Sequence, residues 1–198
     1  MIDFGSPVYL ASKSPRRRRL LRQLNIKFSW FSVDLKEEIL DGEHPIITVK
    51  RLSLQKLAEA EKRIDKGIII AADTIVVLDK KIIGKPRDRT DAVRILKKLS
   101  GRTHQVYTGF AVKKLNHYDP IVDYARTNVT FRKLTQSEII DYVDGGSPMD
   151  KAGAYGIQDD FGAVFVERIN GCYYNVVGLP LEKLYKALQK VAQIARKD

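Results

Sequence analysis

The chain has 198 residues, 44% hydrophobic and 30% charged, with 35 Lys and Arg against 24 Asp and Glu for a net charge of +11. That length supports one sizeable core, or two small lobes sharing one, and excludes several independent domains. A single cysteine, Cys172, excludes an intramolecular disulfide, three histidines beside it do not make a zinc site, and no apolar run approaches the ~20 residues that span a bilayer, so a cytoplasmic protein folded throughout is expected.

Residues 7–11 read as a short strand, after which Ser12-Lys13-Ser14-Pro15-Arg16-Arg17 opens a helix with Leu20, Leu21 and Leu24 on one face. Ser14 suits the N-cap and Pro15 the first helical position. A helix N-terminus presents free N–H groups to an anion, and Ser12, Arg16 and Arg17 add donors, with arginine able to grip a phosphate bidentately. The positive surplus suits nucleotides and nucleic acids alike. The alternative is a solvated basic patch, because Arg18, Arg19 and Arg22 continue the run. The glycines and the terminal Gly-Lys-Ser/Thr of a Walker loop are absent.

Residues 25–33, with Phe28, Trp30 and Phe31, read as strand-like and lead into the acidic residues 34–38, which suit either a loop surface or a metal-binding or base-recognising edge. Pro45 opens a helix over 45–65 with Leu52, Leu57 and Ile64 among its buried candidates, and Lys56 within it reads as a solvated lysine. The β-branched run Gly67-Ile68-Ile69-Ile70 reads as a buried strand ending in Asp73, a carboxylate that needs a partner, a cation or a cleft. Residues 75–78 and 82–83 flank Asp79-Lys80-Lys81 as a hairpin returning Lys85, fixed between Gly84 and Pro86, toward Asp73. An ordinary turn with a surface lysine and a salt-bridged aspartate would show the same residues.

Thr90 is placed to cap a helix over 90–99, carrying Val93, Leu96 and Leu99 and stopped by Ser100-Gly101. Residues 104–115 and 121–131 read as two long strands, and Thr135-Gln136-Ser137-Glu138 is a capping box for a helix ended by Gly145-Gly146. Residues 147–158 lack a clear period and hold small residues, which suits a ligand-facing loop or a packed connector. A strand over 163–168, a joining segment over 173–180 and an amphipathic helix over 181–195 close the chain.

Together the segments Ser12-x-Ser14-Pro15-Arg16-Arg17, Ala72-Asp73-Thr74-Ile75-Val76, Gly84-Lys85-Pro86, Ser100-Gly101, Asp150-Lys151-Ala152-Gly153-Ala154-Tyr155-Gly156-Ile157-Gln158 and Asn175-Val176-Val177-Gly178-Leu179-Pro180 resemble the Maf proteins, in that family's order from about Tyr9 to the last helix. The resemblance implies a single domain over 1–198 with an α/β fold of the inosine-triphosphatase type. In that fold an elongated mixed sheet with flanking helices is bent between two lobes around a central cleft. It implies hydrolysis of a nucleoside triphosphate to the monophosphate and pyrophosphate with a divalent cation, Mg²⁺ or Mn²⁺, and Asp73 as a candidate ligand. Ala72-Asp73-Thr74 with Tyr155-Gly156-Ile157-Gln158 looks like the branch acting on dTTP and UTP; the branch acting on 7-methyl-GTP is the alternative.

Carried over to matching positions, Asp73 is the proton acceptor; in the mechanism expected from these residues, Lys85 with Arg16 and Arg17 stabilises charge on the triphosphate, and Ser12 with the helix N-terminus holds its oxygens. Arg16, Thr74 and Gln158 are specificity positions, and Lys56 and Glu37 match positions near the substrate. Two departures stand out: Gly146-Ser147-Pro148 lacks the family's usual acid, and Asp159 replaces a glycine after Gln158. The expected partner is the nucleotide, with a homodimer open and no membrane. A nucleic-acid-binding regulator is the rival, but no recognition-helix, zinc-finger or RNA-binding signature accompanies the charge.

Overall fold

A seven-stranded mixed sheet is the frame of the described residues, and the computed structural model describes 4–117, 119–145, 148–158 and 161–194, without the side chain of Ile194. The elements in order are β1 (Val8–Ala11), α1 (Pro15–Gln23), β2 (Ser29–Phe31), α2 (Pro45–Glu61), β3 (Ile68–Leu78), β4 (Lys81–Ile83) and α3 (Arg89–Leu99). They continue with β5 (Thr103–Lys114), β6 (Ile121–Phe131), α4 (Gln136–Asp144), β7 (Val166–Asn170), α5 (Tyr173–Val177) and α6 (Leu181–Ile194). The strand order is β2-β1-β3-β5-β6-β7, with β4 paired to β3. β1 runs parallel to both β2 and β3, while β4 and β7 are antiparallel to β3 and β6. No helix among the described residues is long and apolar enough to cross a membrane.

The chain divides into two compact units, one of Met1–Asp73, Thr108–Ala125 and Gly178–Asp198, the other of Thr74–Tyr107 and Arg126–Val177. In the first, Ala11, Val33, Leu57, Ala60, Ile69, Ala71, Ala111 and Leu115 form a core between sheet and α2. Gly109 on β5 sets how closely α2 lies on that sheet, because a Cβ there would collide with the Val49 backbone. β2 is a short edge strand whose Trp30 is 46% exposed and lies under the Arg18 guanidinium, 3.9 Å from the ring centroid.

The second unit packs Leu96 and Leu99 of α3, Ile139 and Tyr142 of α4, and Phe131 and Phe165 into one core. Thr127 of β6 is fully buried; its hydroxyl donates to the Cys172 carbonyl and accepts from the Cys172 N–H, both at 3.0 Å, and from Asn175 Nδ2 at 2.9 Å. Asn175 Nδ2 also donates to the Val106 carbonyl at 3.0 Å, which ties α5 to β5 and β6.

Several boundaries differ from the sequence reading. β3 does not end at Asp73 but runs on to Leu78, since Thr74-Ile75-Val76-Val77 continues the β-branched pattern. The hairpin loop is Asp79-Lys80 alone, both residues left-handed with φ of 51° and 63°, and Lys81 already belongs to β4. Asp88, not Thr90, caps α3 by accepting from the Asp91 N–H at 2.8 Å. Only Ser29–Phe31 of the region 25–33 is strand, α2 stops at Glu61, and residues 173–177 form a helical turn. Phe161–Phe165 is a 3-10 turn, with the strand following at Val166–Asn170.

His104, 1% exposed, meets the Tyr155 hydroxyl through Nε2 at 2.8 Å, and its Nδ1 finds no hydrogen-bond partner among the described residues. Burial pulls the imidazole pKa down to about 4 and pushes the Tyr155 phenol up. An unfolded chain would bind that proton below about pH 6.5, whereas the native ring binds it only near pH 4, so native stability falls as pH drops through that interval. The contribution is complete above about pH 6.5. Urea unfolding at pH 7.5 and pH 5.0 should therefore show a loss about 2 kcal/mol larger in wild type than in His104→Gln. Equal losses in the two proteins would refute the assignment.

Candidate active site

β3 carries one charged side chain, Asp73, in a strand that is buried from Ile68 to Ala72 and again from Ile75 to Leu78. Asp73 is only 4% exposed. Such a carboxylate is costly beside isoleucines unless paired, and its partner is Lys56 of α2, itself 8% exposed. The Lys56 ammonium donates to Asp73 Oδ1 and, at 2.6 Å, to Glu37 Oε1 from the segment ahead of α2. The sequence reading of Lys56 as a solvated helix lysine is thus corrected. α2 turns this residue toward β3, where its neighbours are two carboxylates.

The turn before α1 is organised as its residues imply. The Ser14 hydroxyl accepts from the Arg17 N–H at 3.4 Å, and the Ser12 hydroxyl accepts from the Ser14 N–H at 3.2 Å and from Arg17 Nη1 at 3.4 Å. Ser12 is 7% exposed. Arg17 reaches further, donating through Nε to the Gly178 carbonyl at 2.8 Å and through Nη1 to the Ala72 carbonyl at 2.9 Å, next to Asp73. Burial lowers its pKa, Asp73 opposes this, Arg16 adds to the lowering and Glu37 to the opposition. A guanidinium stays charged under such shifts, so Arg17 is a fixed cation beside the acid. Ser12, Arg17, Glu37, Lys56 and Asp73 are therefore gathered in one unit, with Arg16 half-buried on the same helix.

Thr74, Lys85 and Gln158 belong to the other unit. The hairpin register sets Ile83 opposite Val76; Thr74 on β3 is half-buried, and Lys85, two residues past the end of β4, is exposed. The segment leading to half-buried Gln158 is packed rather than loose. Gly153 has φ of 75°, its N–H donates to the Gly84 carbonyl at 3.1 Å, and a Cβ there would press on the Val76 side chain at 3.0 Å. Lys151 in this segment is 7% exposed and pairs with Asp150 at 2.9 Å. Ser147 and Asp159, the two departures from the family pattern, lie outside the described residues.

Sequence reasoning passed over Arg51 and Glu43, which meet at 2.6 Å beside the segment that carries Glu37. No periodicity or motif links two residues eight positions apart across a helix start. For a divalent cation, no group of three or more His, Cys, Asp or Glu suited to a metal occurs among the described residues. Asp73 and Glu37, gathered on one ammonium, are nonetheless the one or two carboxylates that Mg²⁺-type sites use with substrate phosphates, so the donor set fits.

A family model described as Maf-like protein matches residues 7–191. The dTTP/UTP pyrophosphatase of Caldanaerobacter subterraneus subsp. tengcongensis is 48% identical over 184 residues, covering 92% of this chain and 88% of that one. The protein of the same name from Aquifex aeolicus is 46% identical over 188 residues, covering 95% and 97%. Among solved structures, a HAM1 protein from Coxiella burnetii aligns with a TM-score of 0.50 at 12% identity, covering 98% of this chain and all of that one, a likeness of fold alone.

Removing the ammonium from between the two carboxylates should leave a buried charge uncompensated. Lys56→Met is expected to lower the unfolding free energy by about 2–4 kcal/mol in urea titrations, with part of the loss regained when Asp73→Asn is added. A single variant as stable as wild type would mean the pair is solvated instead of buried.

Proposed function

The chain belongs to the family of Maf-like proteins, and from that premise we propose that it hydrolyses nucleoside triphosphates, dTTP and UTP in preference, to the monophosphate and pyrophosphate. The observation that carries this reading is the buried Asp73 carboxylate, paired with Lys56 and lying beside the Arg17 cation, in a chain close in sequence to several dTTP/UTP pyrophosphatases. Residues 1–198 act on this reading as one domain, in the cytoplasm.

In the proposed reaction a water oxygen attacks the α-phosphorus, the bond from that phosphorus to the bridging oxygen breaks, and pyrophosphate leaves with the bond's electrons. Asp73 receives the water's proton. Lys56, which donates to Asp73 Oδ1, holds the carboxylate in place before substrate arrives. A carboxylate with a free-solution pKa of about 3.9 is a weak base. Asp73 and Glu37, with the phosphate oxygens, would hold a Mg²⁺ or Mn²⁺ that supplies charge neutralisation and a more acidic water.

Arg17 and Arg16 meet charge on the phosphates and Ser12 donates to their oxygens, while Lys85 is assigned to the leaving pyrophosphate. Thr74 and Gln158 are assigned to the base. A side-chain amide matches the carbonyl and N–H edge of uracil or thymine, and bases that leave those groups unpaired are rejected.

A panel of dTTP, UTP, CTP, dATP, GTP and 7-methyl-GTP, scored for pyrophosphate with Mg²⁺ or Mn²⁺, should give the highest kcat/KM for dTTP and UTP. Cleavage of 7-methyl-GTP with the pyrimidines intact would overturn the base assignment, and silence on every nucleotide would overturn the function. Asp73→Asn should lower kcat by about 10²-fold or more. Its nucleotide Kd should stay within about threefold of wild type, and near-normal turnover would remove Asp73 from the chemistry.

A further inference from the structure

Residues 32–44 connect β2 to α2 without regular secondary structure, and residues 36–42 are all exposed. Packing touches this stretch at Val33, which is buried, and at half-buried Leu35 and Glu43, and does not fix residues 36–42. A connector of that length in a small fold is held for a purpose or left loose. Here it is held by polar ties. Arg63 donates to the Ser32 carbonyl at 2.8 Å, the Glu43 N–H closes on the Leu40 carbonyl at 3.2 Å, and Lys56 holds Glu37.

The most extensive tie comes from Arg51 of α2. Its Nε and Nη2 grip the two oxygens of Glu43 at 2.8 and 2.6 Å, and the same Nη2 donates to the Glu38 carbonyl at 3.0 Å. Its remaining Nη1 donates to Gln55 Oε1 at 3.3 Å. The Glu43 side chain is 11% exposed, and Arg51 holds its carboxyl below the usual range, so the fork meets an ionised partner at neutral pH. Glu38 is the neighbour of Glu37 in the chain. Anchoring its carbonyl fixes the backbone one peptide, about 3.8 Å, from the Cα of a residue whose own side chain is 38% exposed.

We propose that Arg51 is a positioning residue: its guanidinium pins residues 38–43 to α2 and so sets the Glu37 carboxylate against Lys56 and Asp73. This rests on the pyrophosphatase reading above. Lysine would not replace it. One ammonium has no planar fork with which to hold a carboxylate bidentately and a carbonyl at the same time.

The test compares wild type, Arg51→Met, Arg51→Lys, Glu37→Gln and the double variant Arg51→Met/Glu37→Gln in pyrophosphate release from dTTP, together with amide hydrogen exchange of residues 37–43. Both Arg51 variants should lower kcat by about 10- to 100-fold and speed exchange in that stretch. If Arg51 acts through Glu37, the double variant should fall within about twofold of Glu37→Gln alone. Should Arg51→Met fail to fold, Arg51→Lys with Glu37→Gln makes the same comparison. Losses that multiply, or exchange that does not change, overturn the positioning role while leaving the enzyme reading intact. A wild-type protein that releases no pyrophosphate removes the function, and the role with it.

Discussion

A lysine ammonium enclosed by two carboxylates is the interaction on which the first unit depends. Lys56 reaches Asp73 on a central strand and Glu37 on an irregular segment, so one side chain links helix, sheet and loop. The buried Lys56 and Asp73 charges would each be expensive in that apolar setting without the other, while Glu37 stays partly exposed, and such an arrangement adds little net stability over a hydrophobic one. Its presence therefore argues for use. What it provides is an acidic side chain fixed in place before any ligand arrives, with the Arg17 cation held by backbone carbonyls beside it.

Local chemistry was the legible part of the sequence. The Ser14 cap with Pro15 and the capping box at Thr135 and Glu138 stand where the residues imply, and the hairpin after β3 does so with a loop one residue shorter, because each is decided within four or five positions. Features set by distant partners were not legible. The burial of Lys56 depends on α2 lying on β5, and that closeness depends on Gly109, a residue with no local mark. Asp88 and Thr90 are both chemically able to cap α3, and Asp88 does so while the Asp91 carboxylate accepts from the Arg87 N–H, tightening the turn from both sides. Around the strand over 166–170, an aromatic-rich approach at Phe161 and Phe165 looks β-like in composition but packs as a 3-10 turn.

The motif residues divide by what they touch. Asn175 and Gly178, quoted for the family resemblance without a role, prove to be joints of the fold: the amide of one secures α5 to β5 and β6, and the carbonyl of the other receives Arg17. Gly153 is likewise a packing position against Val76. The segment over 150–158 is thus a packed connector, and it leads to the half-buried Gln158.

The sheet's edge at β2 has a consequence for the molecule's life in a crowded solution. A strand of three residues offers few unpaired peptide groups as a template, and the indole on it is already roofed by Arg18. A neighbouring chain seeking to add itself there would meet a cation first and then find little ladder to extend, so the border of the sheet resists fibre-like stacking.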